Sequence, residues 1–147
     1  MKAVRTILNF LVYIVIVAGI VWGLPQFLSW KFGTPYPIAA ITSGSMWPIL
    51  HEGDLIFIRA VPKDELNVGD VVVWQNDKGF TIHRIVKLEE KRLVTKGDAN
   101  FKEDEPIAYE GVVGRTLLWS ENKPVRIPYL GFISVFGAQA LGSQLGG

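Results

Sequence analysis

The sequence predicts a mainly β protein, with a small β-barrel or β-sandwich domain that follows an N-terminal transmembrane helix. Two observations support this prediction: a long apolar run near the N-terminus, and a series of short β-like segments between turn signals after it. The 147 residues suit one small domain with an appendage. The mean hydropathy is +0.27 although 20% of the residues are charged, so the apolar residues are unevenly distributed.

The N-terminal run is long enough to cross a membrane. From Ile7 to Trp30 there are 24 residues without a charge, and a membrane span needs about 20 mostly apolar residues. Pro25 is expected to end the helix, because proline cannot donate a backbone hydrogen bond. Lys2 and Arg5 precede the run, so the positive-inside rule places the N-terminus in the cytoplasm and the rest of the chain outside.

Two other interpretations of this run are weaker. A cleaved secretory signal would use small residues such as Ala39 and Ala40 downstream, but the apolar core is long for such a signal. A buried helix of a soluble domain would need a larger protein around it. We therefore predict a cytoplasmic tip and single-pass anchor over residues 1–30, an extracytoplasmic β domain over residues 31–126, and an apolar tail over residues 127–147.

Charge and composition exclude several classes of function. Residues 31–147 carry 13 basic and 14 acidic side chains, and this near-neutral balance argues against nucleic-acid binding. The chain has no cysteine, so disulfides, cysteine-ligated metals and thiol nucleophiles are excluded. Two histidines leave little room for a histidine-rich metal site. We predict no metal and no cofactor.

Residues 31–126 show the pattern of a small β domain. Short apolar or alternating segments are separated by turn signals, and no long helical period appears. The turn at residues 76–79 and the connection at residues 89–91 predict two successive hairpins. The predicted strands cover residues 37–42, 54–59, 70–74, 80–87, 92–96 and 110–118, with one helical turn near residues 62–66.

The tail is apolar but short. Residues 127–141 are 15 uncharged residues, fewer than a span needs. An interfacial helix, a partial second span and a segment packed on the β domain all remain open.

The candidate base is one of the two histidines, since only histidine titrates near neutrality in the absence of a perturbing environment. His83 lies inside a predicted strand, and His51 lies just before a turn. Ser45 follows a short apolar strand, and Gly44 before it would permit an unusual backbone angle. A serine at such a bend can expose its hydroxyl and direct its N–H at an oxyanion. Taken alone, a plain turn explains the same residues.

Acidic residues could complete such a site. Asp98 and Asp104 lie six residues apart in a loop after a predicted strand. Either could orient a histidine, as in a Ser-His-Asp triad, or could belong to a solvated acidic loop. The earlier pairs Gly53-Asp54 and Gly69-Asp70 are interpreted as turns.

Five short segments follow one another in the chain: Ser43–Pro48, Gly53-Asp54, Val68–Val73, Ile82–Ile85 and Lys96–Asn100. Taken in this order, they resemble the successive boxes of type I signal peptidases. Bacterial members of that family place a lysine base where this chain has His83, so the resemblance is to the archaeal and endoplasmic-reticulum subtype. Self-cleaving repressor proteases share the β-fold but resemble the lysine branch and lack an N-terminal anchor.

The resemblance implies a role for each site residue. Ser45 would be the nucleophile, His83 the general base, and Asp104 the group that orients His83. Asp98 would support the loop, although which aspartate contacts His83 stays open. The Ser43 hydroxyl would join the Ser45 N–H in the oxyanion hole, or else belong to the turn.

The implied function is removal of signal peptides from secreted preproteins by a serine endopeptidase in the cell membrane or the endoplasmic-reticulum membrane. Substrates would bind extended, with small residues at the first and third positions before the cut. The need for accessory subunits stays open. Trp47 could pack in the core or dip into the lipid surface, and core packing is expected. Pocket neighbours expected from sequence proximity are Ile38, Ala39, Ile41 and Met46. The alternative is a non-catalytic membrane-anchored β-module that binds secreted proteins, in which the three triad side chains need not converge.

Overall fold

The N-terminal helix is longer than the sequence predicts. In the computed structural model, which describes residues 2–77, 79–120 and 123–133, helix α1 (Lys2–Ala18) passes through a π-helical turn (Gly19–Gly23) into helix α2 (Leu24–Phe32). The predicted stop at Pro25 is wrong. Pro25 lies in the first turn of α2, where a missing N–H costs little. The helix ends instead at Gly33, whose φ of 66° is left-handed.

This helix satisfies the criteria for a membrane span. Residues 4–32 form the one helix in the described part of the chain that is long and apolar enough to cross a bilayer, by length and composition. None of its most apolar window is buried against the rest of the protein. An apolar surface of this size exposed on a helix is typical of contact with lipid or with another helix.

The rest of the described chain is antiparallel β-structure, which confirms the predicted fold class of a β domain behind an apolar helix. Single 3-10 turns occur at Gly44–Met46, Lys63–Glu65 and Tyr109–Gly111. The ten strands are β1 (Ile38–Ala40), β2 (Leu55–Arg59), β3 (Val71–Asn76), β4 (Gly79–Leu88), β5 (Arg92–Lys96), β6 (Ile107–Ala108), β7 (Val112–Thr116), β8 (Leu118–Ser120), β9 (Lys123–Pro124) and β10 (Arg126–Ile127).

The main sheet has the strand order β1-β2-β7-β3-β4-β5-β6, with β10 beside β2. Strands β8 and β9 form a separate small hairpin. The two predicted hairpins are confirmed, since β3 pairs with β4 and β4 with β5. The predicted strand over residues 110–118 is interrupted, because a 3-10 turn precedes β7 and β8 leaves the main sheet.

Apolar residues cover both faces of the central strand β3. Val71 and Val73 belong to one buried cluster, whereas Val72 belongs to another. Side chains alternate across a strand, so a strand buried on both faces needs an unbroken apolar run. The first cluster consists of Ile41, Met46, Leu50, Ile56, Ile58, Val71 and Val73, and the second of Leu66, Val72, Ile85 and Leu93.

The first two Gly-Asp pairs do lie in turns, but their carboxylates have a second role. Asp54 is 2% exposed and accepts hydrogen bonds from the His51 N–H (2.8 Å) and from Arg126 Nη1 (2.8 Å). Asp70 contacts Arg115 Nη1 at 2.9 Å. A buried carboxylate needs such partners, so each aspartate fixes a turn to a strand much later in the chain.

The apolar tail is described only up to Ile133. Its Gly131 N–H donates to the Gly53 carbonyl at 2.9 Å, so this part of the tail packs on the β domain. Residues 134–147 lie outside the described residues. An interfacial helix or a partial second span therefore stays an untested prediction for this part of the tail.

Candidate active site

Ser45 lies in the 3-10 turn that follows β1. The turn is closed by a hydrogen bond from the Trp47 N–H to the Gly44 carbonyl (3.1 Å), and Met46 is buried beneath it. Gly44 does not adopt a left-handed φ, so the predicted unusual backbone angle is wrong; a 3-10 turn is right-handed. A Cβ at Gly44 would meet no atom within 4 Å. The chain beside Ser45 is therefore open to an approaching ligand.

His83 lies on β4, opposite Val72 of β3, and is 7% exposed. Its Nε2 is 3.1 Å from Ser45 Oγ. Its Nδ1 is 2.6 Å from Asp104 Oδ2. A carboxylate at Nδ1 requires an N–H there, which leaves the lone pair on Nε2 to accept the Ser45 hydroxyl proton. The two contacts thus select one tautomer.

Asp104 lies in the loop after β5 and is fixed by Thr95. The Asp104 N–H donates to the Thr95 carbonyl at 2.9 Å. The Thr95 hydroxyl donates to Asp104 Oδ2 at 2.6 Å, the same oxygen that faces His83. The sequence interpretation did not identify Thr95. The available signal was a lone hydroxyl residue in a strand whose other uncharged residues, Leu93 and Val94, are apolar.

Asp98 does not contact His83. It forms a two-point ion pair with Arg84, from Nε (2.8 Å) and Nη2 (2.7 Å). Arg84 Nη1 also donates to the Gly69 carbonyl at 2.7 Å. The hydrogen bond from Arg84 to Asp98 raises the pKa of the guanidinium, which therefore stays charged.

The same loop also holds the backbone of Ser45. The Ala99 N–H donates to the Ser45 carbonyl at 2.9 Å. A Cβ at Gly97 would lie 2.7 Å from that carbonyl oxygen, so only glycine allows this approach. Ser43 Oγ lies 3.2 Å from Ser45 Oγ. The predicted residues Ser43, Ser45, His83 and Asp104 therefore converge.

Ser43, Ser45 and His83 line a cleft of about 680 Å³, and Asp104 lies behind His83. One wall is formed by β1 and the residues after it, and the other by the first residues of β4. Strand β5 pairs with β4 only from Arg84 onwards, so residues 80–83 have no strand partner on that edge within the described part of the chain. All four predicted pocket neighbours, Ile38, Ala39, Ile41 and Met46, line the cleft.

Other predicted positions lie elsewhere. His51 does not line the cleft, and its Nδ1 lies 3.4 Å from Arg126 Nη1. Trp47 is 58% exposed, so the expected core packing is wrong. Met46 occupies the buried position instead. The backbone becomes extended at Trp47, so the Trp47 side chain points away from the core. Among the described residues, no cluster of three or more metal-ligating side chains is found.

Comparison with known proteins identifies a family and several relatives of this chain. The family described as Peptidase S24-like matches residues 24–110. The signal peptidase complex catalytic subunit SEC11C of Homo sapiens is 32% identical over 116 residues, which cover 70% of this chain and 58% of that protein. The catalytic subunits named sec11 of Neurospora crassa and Sclerotinia sclerotiorum are 34% and 31% identical, over 74% and 91% of this chain and 71% and 80% of their own lengths.

The family match and the apolar helix together define the class of this protein, a Peptidase S24-like protein with an apolar N-terminal helix. The chain belongs to the Peptidase S24-like family and to the family of the fungal signal peptidase catalytic subunits named sec11. The resemblance to the endoplasmic-reticulum type of signal peptidase is thereby confirmed. The chain spans 58% of the length of the mammalian relatives that it matches.

Proposed function

We propose that the chain is a membrane-anchored serine endopeptidase that removes signal peptides from secreted preproteins. One observation carries the proposal. Ser45 Oγ, His83 and Asp104 form a continuous series of contacts of 3.1 Å and 2.6 Å, and Ser45 and His83 line an open cleft. A non-catalytic binding module would not require these three side chains, which are distant in sequence, to meet.

The geometry supports nucleophilic catalysis by Ser45. Its Oγ attacks the scissile carbonyl carbon while its proton passes to His83 Nε2. Asp104 accepts the Nδ1–H bond and stabilises the imidazolium that forms. The imidazolium then protonates the leaving amine, the peptide C–N bond breaks, and the signal peptide remains as an ester on Ser45. Water, deprotonated by His83, hydrolyses this ester and restores the Ser45 hydroxyl.

Two donors near Ser45 are suited to the oxyanion. Ser45 is the second residue of its 3-10 turn, and the N–H groups at the start of such a turn have no partner within the turn. The Ser43 hydroxyl, 3.2 Å from Ser45 Oγ, can rotate towards the same position. We assign these two groups to the oxyanion hole, where each would stabilise charge only as it develops.

The cleft suits an extended peptide. Its walls are strand edges, so a substrate strand can form main-chain hydrogen bonds with β1 and with residues 80–83 of β4. Apolar side chains, Ile38, Ala39, Ile41 and Met46, line the cleft beside Ser45. We assign these side chains to shallow pockets that accept small substrate residues before the cut and exclude large ones.

The apolar helix supports a membrane location for this activity. We propose that residues 1–30 form the cytoplasmic tip and anchor, that residues 31–126 form the catalytic domain outside, and that residues 127–147 form an apolar tail. A signal peptide spans the same membrane, so enzyme and substrate would meet within the plane of the bilayer. The relatives are named as subunits of a complex. We propose that this chain also assembles with partner subunits, and co-purification from membranes tests this assembly.

The central test uses the full chain in detergent with a preprotein substrate. Ser45→Ala should abolish cleavage, because the oxygen that forms the ester is absent, and should leave the melting temperature unchanged. Ser120→Ala is a matched control, since Ser120 is exposed and does not line the cleft. The products are identified by mass spectrometry, which also gives the cut site. Retained cleavage by Ser45→Ala would contradict the proposal.

A further inference from the structure

We infer that Thr95 is a positioning residue of the proposed triad and acts through Asp104. This inference rests on the proposed function and adds a fourth member to its machinery. Thr95 is fully buried in β5 and does not line the cleft, so it cannot contact the substrate. Its influence on the reaction must therefore pass through the carboxylate that it contacts.

The sheet register brings Thr95 close to the site. Thr95 pairs with Ile85 across β4 and β5. Side chains alternate along a strand, so His83 and Ile85 share a face of the sheet, and Thr95 lies on that face as the diagonal neighbour of His83. Asp104 bridges this diagonal, with His83 Nδ1 and Thr95 Oγ1 both 2.6 Å from its Oδ2.

The contacts of Thr95 restrict how the Asp104 carboxylate can rotate. The backbone contact, from the Asp104 N–H to the Thr95 carbonyl at 2.9 Å, fixes the main chain. The hydroxyl contact then selects Oδ2 as the oxygen that faces His83. Asp104 has no arginine or lysine among its observed contacts in the described residues, in contrast to Asp98. The uncharged Thr95 hydroxyl therefore provides the side-chain restraint.

The test replaces the hydroxyl and keeps the shape. Thr95→Val in the full chain should lower kcat for preprotein cleavage by about tenfold or more, as loss of a group that orients a triad does, and should leave KM within about twofold. Thr95→Ser, which keeps the hydroxyl, should restore most of kcat. The Nδ1–H proton resonance of His83 should move in Thr95→Val, because its acceptor is less well ordered.

Thr116→Val is the matched control for removal of a buried threonine hydroxyl. Thr116 is also buried in the sheet, and its hydroxyl has no hydrogen-bond partner within the described residues. We expect wild-type kcat in Thr116→Val, because no contact to the site is lost. An equal loss of kcat in Thr95→Val and Thr116→Val would overturn the inference, since general loosening of the sheet would then explain both.

A double-variant comparison separates positioning from folding. In an Asp104→Asn background, Thr95→Val should change kcat less than about twofold, because the group that it orients is already lost. Full additivity would overturn the inference. Failure of the proposed function is recognised separately: Ser45→Ala would then retain cleavage. If Ser45→Ala is inactive and Thr95→Val has wild-type kcat, only the inference about Thr95 fails.

Discussion

The two aspartates of the loop at residues 97–104 differ in partner rather than in burial. The side chains of Asp98 and Asp104 are 16% and 21% exposed. Asp98 faces the permanently charged Arg84, whereas Asp104 faces His83 and a hydroxyl. A permanent ion pair has the same charge throughout a reaction. A carboxylate beside a histidine can stabilise a charge that appears only during proton transfer, and this distinction separates a structural from a catalytic aspartate.

The largest effect on turnover is expected when the Asp104 carboxylate is removed. Asp104→Asn should lower kcat for preprotein cleavage by about 10³–10⁴-fold, because an amide can hold the wrong tautomer of His83. The melting temperature should stay close to that of the wild type, since a polar side chain of the same shape remains. Kinetic assays and thermal unfolding measure the two effects. Near-normal turnover would assign the orienting role to another group.

Asp98→Asn should act mainly on stability. The substitution leaves the partly buried Arg84 guanidinium without its anion and should lower the free energy of unfolding by about 1–3 kcal/mol. Turnover should decrease only a few-fold, because the loop that carries Asp104 becomes less well held. Urea unfolding compared with kinetics separates the two effects. A larger loss of turnover than in Asp104→Asn would reverse the assignment of the two aspartates.

The smallest effect is expected at an exposed pair outside the loop. The hydrogen bond from Lys87 to Glu89, 2.6 Å long, lowers the pKa of Glu89. The pair therefore stabilises the fold above the usual pKa of a glutamate, and this contribution is lost as the pH falls through the lowered value. Because both side chains are exposed to solvent, Glu89→Gln should hardly move the urea midpoint at neutral pH. A shift as large as that of Asp98→Asn would contradict this ranking of pairs by burial.

Local patterns predicted the central strands, whereas the roles proposed for Ser45, His83 and Asp104 came from the resemblance to type I signal peptidases. Strands β3, β4 and β5 were identifiable because alternation and turn residues are properties of short segments. The anchor was predicted from its length, but its end was not. The effect of Pro25 depends on whether a π-helical turn precedes it, and that detail is not encoded in a hydropathy pattern.

The parts of the site that escaped prediction depend on contacts between distant segments. The contact of Thr95 with Asp104 follows from the register of β4 with β5 and from the path of the following loop. The choice between Asp98 and Asp104 depends on which one lies near Arg84. Neither the contact between Thr95 and Asp104 nor the partner of Arg84 can be inferred from the spacing of these residues along the chain. The outward direction of Trp47 likewise follows from the buried position of Met46.

The contacts of residues 97–104 make this loop a shared support for the whole site. One end binds the Ser45 carbonyl through Ala99, and the other presents Asp104 to His83. Local opening of this segment would displace Ser45, the proposed nucleophile, and release His83 together, while the strands could remain paired. The site is therefore expected to be lost as one cooperative unit. This loss should occur at a lower denaturant concentration than unfolding of the sheet, or after a proteolytic cut in the loop that leaves the sheet folded.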